Sequence, residues 1–155
     1  MITANRASTA PSNELIAEIS VFPDHGTILI GDAGNNVFPD TPPTRGEGLV
    51  TASEHALLVL TMTADTADDL GCDVTVRVYR GSNAAGLGYL AFDGTLTFSE
   101  PNLAIGEILD TAEDRHKVPI NRTGPVPLHV YARTTIPGAP ASDATDINIL
   151  LDDVE

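Results

Sequence analysis

Two segments in which apolar and polar residues alternate constrain the fold more than any other feature of the chain. The first, residues 126–133, places four apolar residues at every second position: Val126, Leu128, Val130 and Ala132. The second, residues 72–80, does the same with three valines: Val74, Val76 and Val78. Because successive side chains of a strand point to opposite faces, this period of two predicts two half-buried β-strands.

The opposite faces of these two strands carry aromatic and basic side chains. Tyrosine and arginine dominate binding hot spots, since they are large, amphipathic and able to hydrogen bond. If both strands lie in one sheet, five residues form a single candidate binding patch: Arg77, Tyr79, His129, Tyr131 and Arg133. The alternative is that they are ordinary cross-strand pairs that stabilise an exposed sheet, and the sequence leaves both interpretations open.

The remaining chain contains further short apolar runs with turn signals about ten residues apart, a spacing typical of sandwiches and barrels. We therefore predict an all-β fold: a single-domain antiparallel β-sandwich, or flattened barrel, of about eight to ten short strands. It spans residues 14–155 and follows a flexible N-terminal arm, residues 1–13. Residues 55–64 are apolar on both faces, which predicts a central strand covered on both sides.

Two turn signals predict β-hairpins. Asp24-His25-Gly26 separates apolar runs at 14–22 and 27–30, which we expect to pair. Asp93-Gly94 interrupts residues 89–98, and a three-residue loop with a bulge would keep the apolar residues of both arms on one face.

The single cysteine, Cys72, falls on the inward side of its strand and is predicted to be a buried, unreactive thiol.

The charge of the chain restricts its partners. It has 22 acidic residues against 8 lysines and arginines, a net charge of -14. Nucleic acids and anionic membranes are bound through clustered basic residues, so both are excluded as expected partners, and a basic protein partner is favoured. Solubility, genome composition or a salty habitat explains the same acidity without any partner, and the sequence leaves these explanations open.

Residues 65–73 are predicted to form an acid-rich loop, with Asp65, Asp68, Asp69 and Asp73. Such a cluster can offer oxygen ligands to calcium, but its spacing matches no EF-hand. A solvated acidic loop is therefore favoured over a metal site.

No motif predicts catalysis. The four histidines, His25, His55, His116 and His129, lie outside any HExxH or GxSxG pattern. We expect a protein that is not an enzyme and needs no metal or cofactor.

The N-terminus shows no signal-peptide pattern and no run reaches the roughly 18 apolar residues of a membrane span, so the expected location is cytoplasmic.

The order of motifs along the chain resembles a known family. The motifs are Ile19–Phe22 (ISVF), Gly94–Glu100 (GTLTFSE), His116–Ile120 (HKVPI), Gly124–Arg133 and Asp146–Leu151 (DINILL). This succession resembles the bacterial competence protein J type, and the likeness implies a β-sandwich that binds and inhibits a nuclease, or a toxin-immunity role.

On that hypothesis an acidic surface opposes a basic nuclease or toxin. Six residues would carry its charge: Asp65, Asp68, Asp69, Asp110, Glu113 and Asp114. The competing hypothesis is a structural module, such as a virion decoration protein or an oligomer-forming sandwich, and a homo-oligomer stays open on either hypothesis.

Overall fold

The computed structural model describes residues 12–111 and 113–152, which form ten strands in two five-stranded sheets. In chain order the strands are β1 (Glu14–Val21), β2 (Thr27–Asp32), β3 (Val50–Ala52), β4 (Ala56–Leu60), β5 (Val74–Arg80), β6 (Tyr89–Phe98), β7 (Asn102–Gly106), β8 (His116–Pro119), β9 (Gly124–Arg133) and β10 (Asp146–Leu151). The first sheet has the order β1-β5-β10-β9-β6, and the second has the order β3-β4-β2-β7-β8. The predicted all-β sandwich is confirmed, with two open sheets rather than a closed barrel.

One apolar core lies between the sheets and takes residues from both. The valines of β5 and the alternate residues 126, 128, 130 and 132 of β9 point into it, as the period of two predicts. Neighbouring strands are antiparallel except β5 and β10, which run parallel. The short β10 therefore lies between β5 and β9, the two strands with the clearest alternation of apolar and polar residues.

Strand β4 is central and covered on both faces, as predicted. Leu57 points into the main core, whereas Leu58 packs on the outer side of the second sheet against Leu29. Phe38, from the connection between β2 and β3, and Ile108, from the connection between β7 and β8, both pack over that outer cluster. The chain thus buries the second apolar face of β4 with its own loops.

The predicted hairpin of 14–22 with 27–30 is wrong, because β1 and β2 belong to different sheets. β1 pairs with β5, and β2 pairs with β4 and β7. Val21 and Ile28 both enter the main core, one from each sheet. The tight turn at Gly26, whose φ is 69°, therefore carries the chain across the core rather than back along the same sheet.

The predicted hairpin around Asp93-Gly94 is also wrong, because β6 runs without interruption and pairs with β9 along its length. A bulge does occur, but it lies between Leu90 and Phe92. Leu96 and Phe98 are buried, whereas Leu90 is 44% exposed. The burial of the C-terminal half against β9 outweighs the local turn preference of Asp-Gly.

The acid-rich segment predicted as a loop at 65–73 begins with helix α1 (Ala64–Leu70). Thr63 caps it, with its hydroxyl accepting a hydrogen bond from Thr66 N at 3.2 Å. Gly71 ends the helix in the left-handed conformation, with φ 73°. Cys72 follows this cap and precedes β5, so it is exposed, and the predicted buried thiol is wrong.

Most of the predicted N-terminal arm, residues 1–11, lies outside the described residues. Asn13 is held by residue Asn83, whose backbone N donates to Asn13 Oδ1 at 3.0 Å. Across residues 12–111 and 113–152, no helix has the length and apolar character needed to cross a bilayer.

Candidate functional site

The two strands with outward aromatic and basic residues lie in one sheet, on either side of β10. Arg77 of β5 and Tyr131 of β9 are both register partners of Asn148. Arg133 is the partner of Asp146, and both His129 and Tyr79 are partners of Leu150. The structure thus brings the five predicted patch residues onto one outer face.

One part of this face is a cross-strand ion-pair cluster around Asp146. Its Oδ2 lies 2.9 Å from Arg77 Nη1 and 3.9 Å from Arg133 Nη1, while its Oδ1 accepts a hydrogen bond from Thr145 at 2.8 Å. Glu18 of β1 approaches Arg77 from the other side at 3.6 Å. The hydrogen bond to Asp146 raises the pKa of Arg77, so this arginine is engaged within the sheet.

The middle of the face is covered by the connection between β5 and β6. Leu87 of that connection is buried with Tyr131 and Leu150, and its carbonyl accepts a hydrogen bond from Asn148 Nδ2 at 2.8 Å. Tyr131 is only 7% exposed. Burial, followed by the nearby charges of Asp93 and Asp152, raises its pKa. Tyr131 therefore packs beneath Leu87, and little of its side chain is accessible to solvent.

His129 lies between two carboxylates that sequence reasoning did not assign to it. Its Nε2 is 3.1 Å from Asp93 Oδ1, and its Nδ1 is 3.6 Å from Asp152 Oδ1. Its ring stacks on that of Tyr131, with centroids 6.4 Å apart. Asp93 is the register partner of His129 across β6 and β9, which the predicted hairpin concealed.

A second candidate surface forms at one end of the sandwich, where β4 and β7 end and β2 and β5 begin. Four connections meet there: residues 22–26, 61–73, 107–115 and 134–145. We call this surface the acidic end. Its exposed acidic residues are Asp24, Asp65, Asp68, Asp69, Asp73, Glu113 and Asp114.

The predicted acidic residues play different parts in this end. Asp65, Asp68 and Asp69 lie on α1 and are exposed. Asp110 is half-buried instead, and its Oδ2 accepts a hydrogen bond from Glu107 N at 2.8 Å. It therefore shapes the connection after β7, while its exposed neighbours Glu113 and Asp114 face outward.

His25 lies between the 107–115 connection and helix α1. Its Nδ1 lies 2.9 Å from Oε1 of the buried Glu107, and this hydrogen bond raises the pKa of His25 above its ordinary 6.5. His25 also borders a cleft of about 360 Å³ that Thr63 and Asp65 line on the side of α1. No sequence motif distinguishes Glu107 from the other acidic residues, so the sequence does not predict its role.

Arg45 closes the other side of this cleft. Its Nη1 lies 2.7 Å from Asp143, and its Nη2 donates to Thr61 O at 2.8 Å. The cleft thus presents the carboxylates of Asp24 and Asp65, while its arginine, Arg45, is already paired with Asp143. Such an arrangement can accept hydrogen bonds from lysine or arginine side chains. Within residues 12–111 and 113–152, no group of three or more histidine, cysteine or acidic side chains is placed to hold a metal ion.

No protein-family model matches the chain, and no curated protein matches it. Its structure is similar to that of ComJ, the inhibitor of the DNA degrading activity of NucA, from Bacillus subtilis, with a TM-score of 0.62 and 10% identity. That likeness covers 93% of this chain and 100% of ComJ. The product of crocagin biosynthetic gene J is also similar, with a TM-score of 0.52, 15% identity, and coverage of 91% and 97%. The resemblance to the competence protein J type is therefore confirmed in the fold.

Proposed function

We propose that this protein is a non-enzymatic, acidic binding protein that inhibits a basic nuclease or toxin. The observation that carries the proposal is the gathering of exposed carboxylates from α1 and from the 107–115 connection at one end of the fold. A solved nuclease inhibitor shares that fold over its whole length. We place the encounter with the partner in the cytoplasm.

The mechanism follows from charge. A nuclease binds DNA phosphates through lysine and arginine residues, and carboxylates held at the acidic end can occupy the same groups. Each close pair contributes roughly 1 kcal/mol in water and about 4 kcal/mol near a protein surface before desolvation costs. The net charge of -14 also speeds the approach of a basic partner.

Non-enzymatic action is part of this proposal. Each of the two histidines on the candidate surfaces faces carboxylates: His25 faces Glu107, and His129 faces Asp93 and Asp152. Such pairing fits a packed, ion-paired surface better than a general base poised beside a nucleophile.

A structural or assembly role is the less favoured alternative. The second apolar face of the two-sided strand β4 would suit another subunit and so favours this role. Phe38 and Ile108 pack over that face within the same chain. The feature that favoured assembly is therefore accounted for without a partner.

The test is an inhibition assay. DNA degradation by the nucleases encoded beside this gene, and by NucA of Bacillus subtilis, is measured while the purified protein is titrated from below to above the nuclease concentration. We expect stoichiometric inhibition of a neighbouring nuclease, weakening as salt rises. The proposal fails if no nuclease is inhibited and no basic protein is bound in a salt-sensitive manner. A stable symmetric oligomer by light scattering, without inhibition, would favour the assembly role.

A further inference from the structure

We infer that the free edge of β6 binds an extended, basic segment of the protein partner by adding it to the first sheet as a further strand. This inference deepens the proposed function and rests on it, because it names how that partner is held. The carboxylates beside the open stretch of this edge, Glu54 and Asp93, are not among the residues of the acidic end, so the two surfaces can be tested by separate substitutions.

The backbone of β6 leaves hydrogen-bonding groups unused along this edge. Thr95 and Thr97 stand opposite Pro127 and Pro125 of β9, which have no N–H to exchange. The N–H of Thr97 instead points away from β9 and donates to Glu54 O at 2.9 Å, and Thr97 O lies 2.9 Å from His55 Nδ1, so the open part of the edge is Asp93 and Thr95. Because antiparallel pairs alternate in direction, the same groups of Asp93 and Thr95 also point outward. Among the described residues, neither has a backbone partner on that side.

The other edge strands are blunted in ways that β6 is not. β3 has three residues, and β8 has four and ends at Pro119. β1 is interrupted by a bulge beside Leu15, and its acidic side chains are drawn into ion pairs with Arg77 and Arg80. Short length, bulges and proline are the usual protections of an edge. β6 has ten residues, and its bulge precedes the open stretch.

Charge identifies the occupant. The side chains of Glu54 and Asp93 beside this edge are 71% and 66% exposed, and Glu100 follows just beyond the strand. β6 itself contains no lysine or arginine. A second copy of this chain would bring the same acidic residues and its own charge of -14 to the contact. A basic extended segment can pair with the backbone groups and also approach these exposed carboxylates, whose neighbours in this chain are the histidines His129 and His55.

The start of β6 adds apolar contact area. Tyr89 is 63% exposed, and the adjacent Leu90 is also exposed. Arg133, whose partner Asp146 is 3.9 Å away, lies at the neighbouring end of β9. Exposed tyrosine and arginine are typical anchors of protein interfaces. Backbone pairing would supply affinity and these side chains would supply specificity, as in known strand additions.

The experiment uses the full chain and a short peptide of alternating lysine and valine, with a glutamate–valine peptide as its charge control. Amide hydrogen exchange is measured by NMR on the unmodified protein. We expect the basic peptide to slow exchange of the Asp93 and Thr95 amides at least tenfold, and the acidic peptide to change neither. The inference is overturned if the basic peptide does not bind, or if it binds without protecting these two amides.

A matched pair of variants tests the same edge. Thr95→Pro removes the outward N–H, which β9 does not use, whereas Thr95→Val keeps that N–H and the shape of the side chain. We expect Thr95→Pro to lower affinity for the basic peptide at least tenfold and Thr95→Val to leave it unchanged. Equal affinities would contradict the inference.

The same two variants separate this inference from the proposed function. If Thr95→Pro inhibits the nuclease as well as the unmodified protein does, the edge is not the partner's site, and the proposed function stands. If the unmodified protein inhibits no nuclease, the proposed function fails whatever the peptide does.

Discussion

Arg77 Nη1 lies 2.9 Å from Asp146 Oδ2, across the parallel pair of β5 and β10. The carboxylate is nearly buried, so removing the arginine leaves it poorly compensated. We expect Arg77→Met to lower the free energy of unfolding by about 2–4 kcal/mol, somewhat less than for a fully buried pair, because the Arg77 side chain is 26% exposed. Urea denaturation of the single variants and of Arg77→Met with Asp146→Asn measures the coupling.

Arg80 provides the control for this prediction. Its Nη1 lies 3.7 Å from Glu14, whose side chain is exposed. Arg80 Nη2 also donates to Ile120 O at 3.2 Å, but an exposed pair contributes at most about 1 kcal/mol, so Arg80→Met is expected to cost less than Arg77→Met. Equal losses in the two variants, with no coupling between Arg77 and Asp146, would contradict a stabilising role of the buried pair.

The strands were predictable where burial alone decides the pattern. In β5, β9 and β10 every second residue enters the core, and this requirement is visible in the sequence as a period of two. What cannot be read in this way is the choice of partner. Val21 and Ile28 are both core residues, but the sequence does not show that they enter the core from different sheets.

Local signals failed where long-range contacts outweigh them. Asp93-Gly94 has the composition of a hairpin turn, yet Gly94 pairs with Leu128 in the middle of a strand. Likewise, the acidic residues of α1 were interpreted as a loop, although Thr63 and Gly71 are suitable residues to begin and end a short helix. The outward patch residues were predicted from alternation, but their partners Asp146 and Asp152 lie far away in sequence. That patch remains a predicted binding site.

The packing of Phe92 over Gly94 gives a second prediction. A β-carbon at position 94 would lie 2.7 Å from Phe92 Cζ, so the ring must move to admit it. We expect Gly94→Ala to lower the unfolding free energy by about 1–2 kcal/mol, in the range of other overpacked sites. In a Phe92→Ala background the same change should cost less, and thermal denaturation of the four proteins measures the difference. Additive effects would show that the ring is not the obstacle.

The buried Asp32 gives a prediction for acid. Burial alone would raise its pKa, but hydrogen bonds from the backbone N–H groups of Ser99, Gly34 and Glu100 and from the Ser99 hydroxyl lower it below its ordinary 3.8. A lowered folded pKa means that the stabilisation is present above the unfolded value and is lost as pH falls through the folded value.

Asp32→Asn therefore tests this anchor. We expect it to cost about 2–4 kcal/mol at neutral pH, because several donors lose a charged acceptor. The deficit relative to the unmodified protein should shrink progressively below about pH 4. Urea denaturation at neutral pH and at about pH 3 measures it, and a deficit that is equal at both would rule out the charge as its source.

His25 gives the opposite dependence. Its hydrogen bond to Glu107 raises its pKa above 6.5. The stabilisation is therefore fully present below that value and is lost as pH rises through the folded pKa. We expect His25→Gln to lower the thermal midpoint more at pH 5.5 than at pH 8.5. His116→Gln, at the exposed start of β8, serves as the control. A deficit that grows with pH would contradict the assignment.

Association with a basic partner should depend on the acidic residues of α1. Asp68→Lys with Asp69→Lys changes the charge at the acidic end by four units, whereas Glu14→Lys with Asp40→Lys makes the same change at exposed positions away from that end. For an inhibited nuclease, we expect the first pair to slow association at least about tenfold and the second pair to have a smaller effect, because steering is strongest near the contact.

Stopped-flow measurements of the association rate at low salt and above 0.5 M salt distinguish the two pairs, since screening should abolish the difference between them. If both pairs slow association equally, net charge alone attracts the partner and the acidic end is not its site.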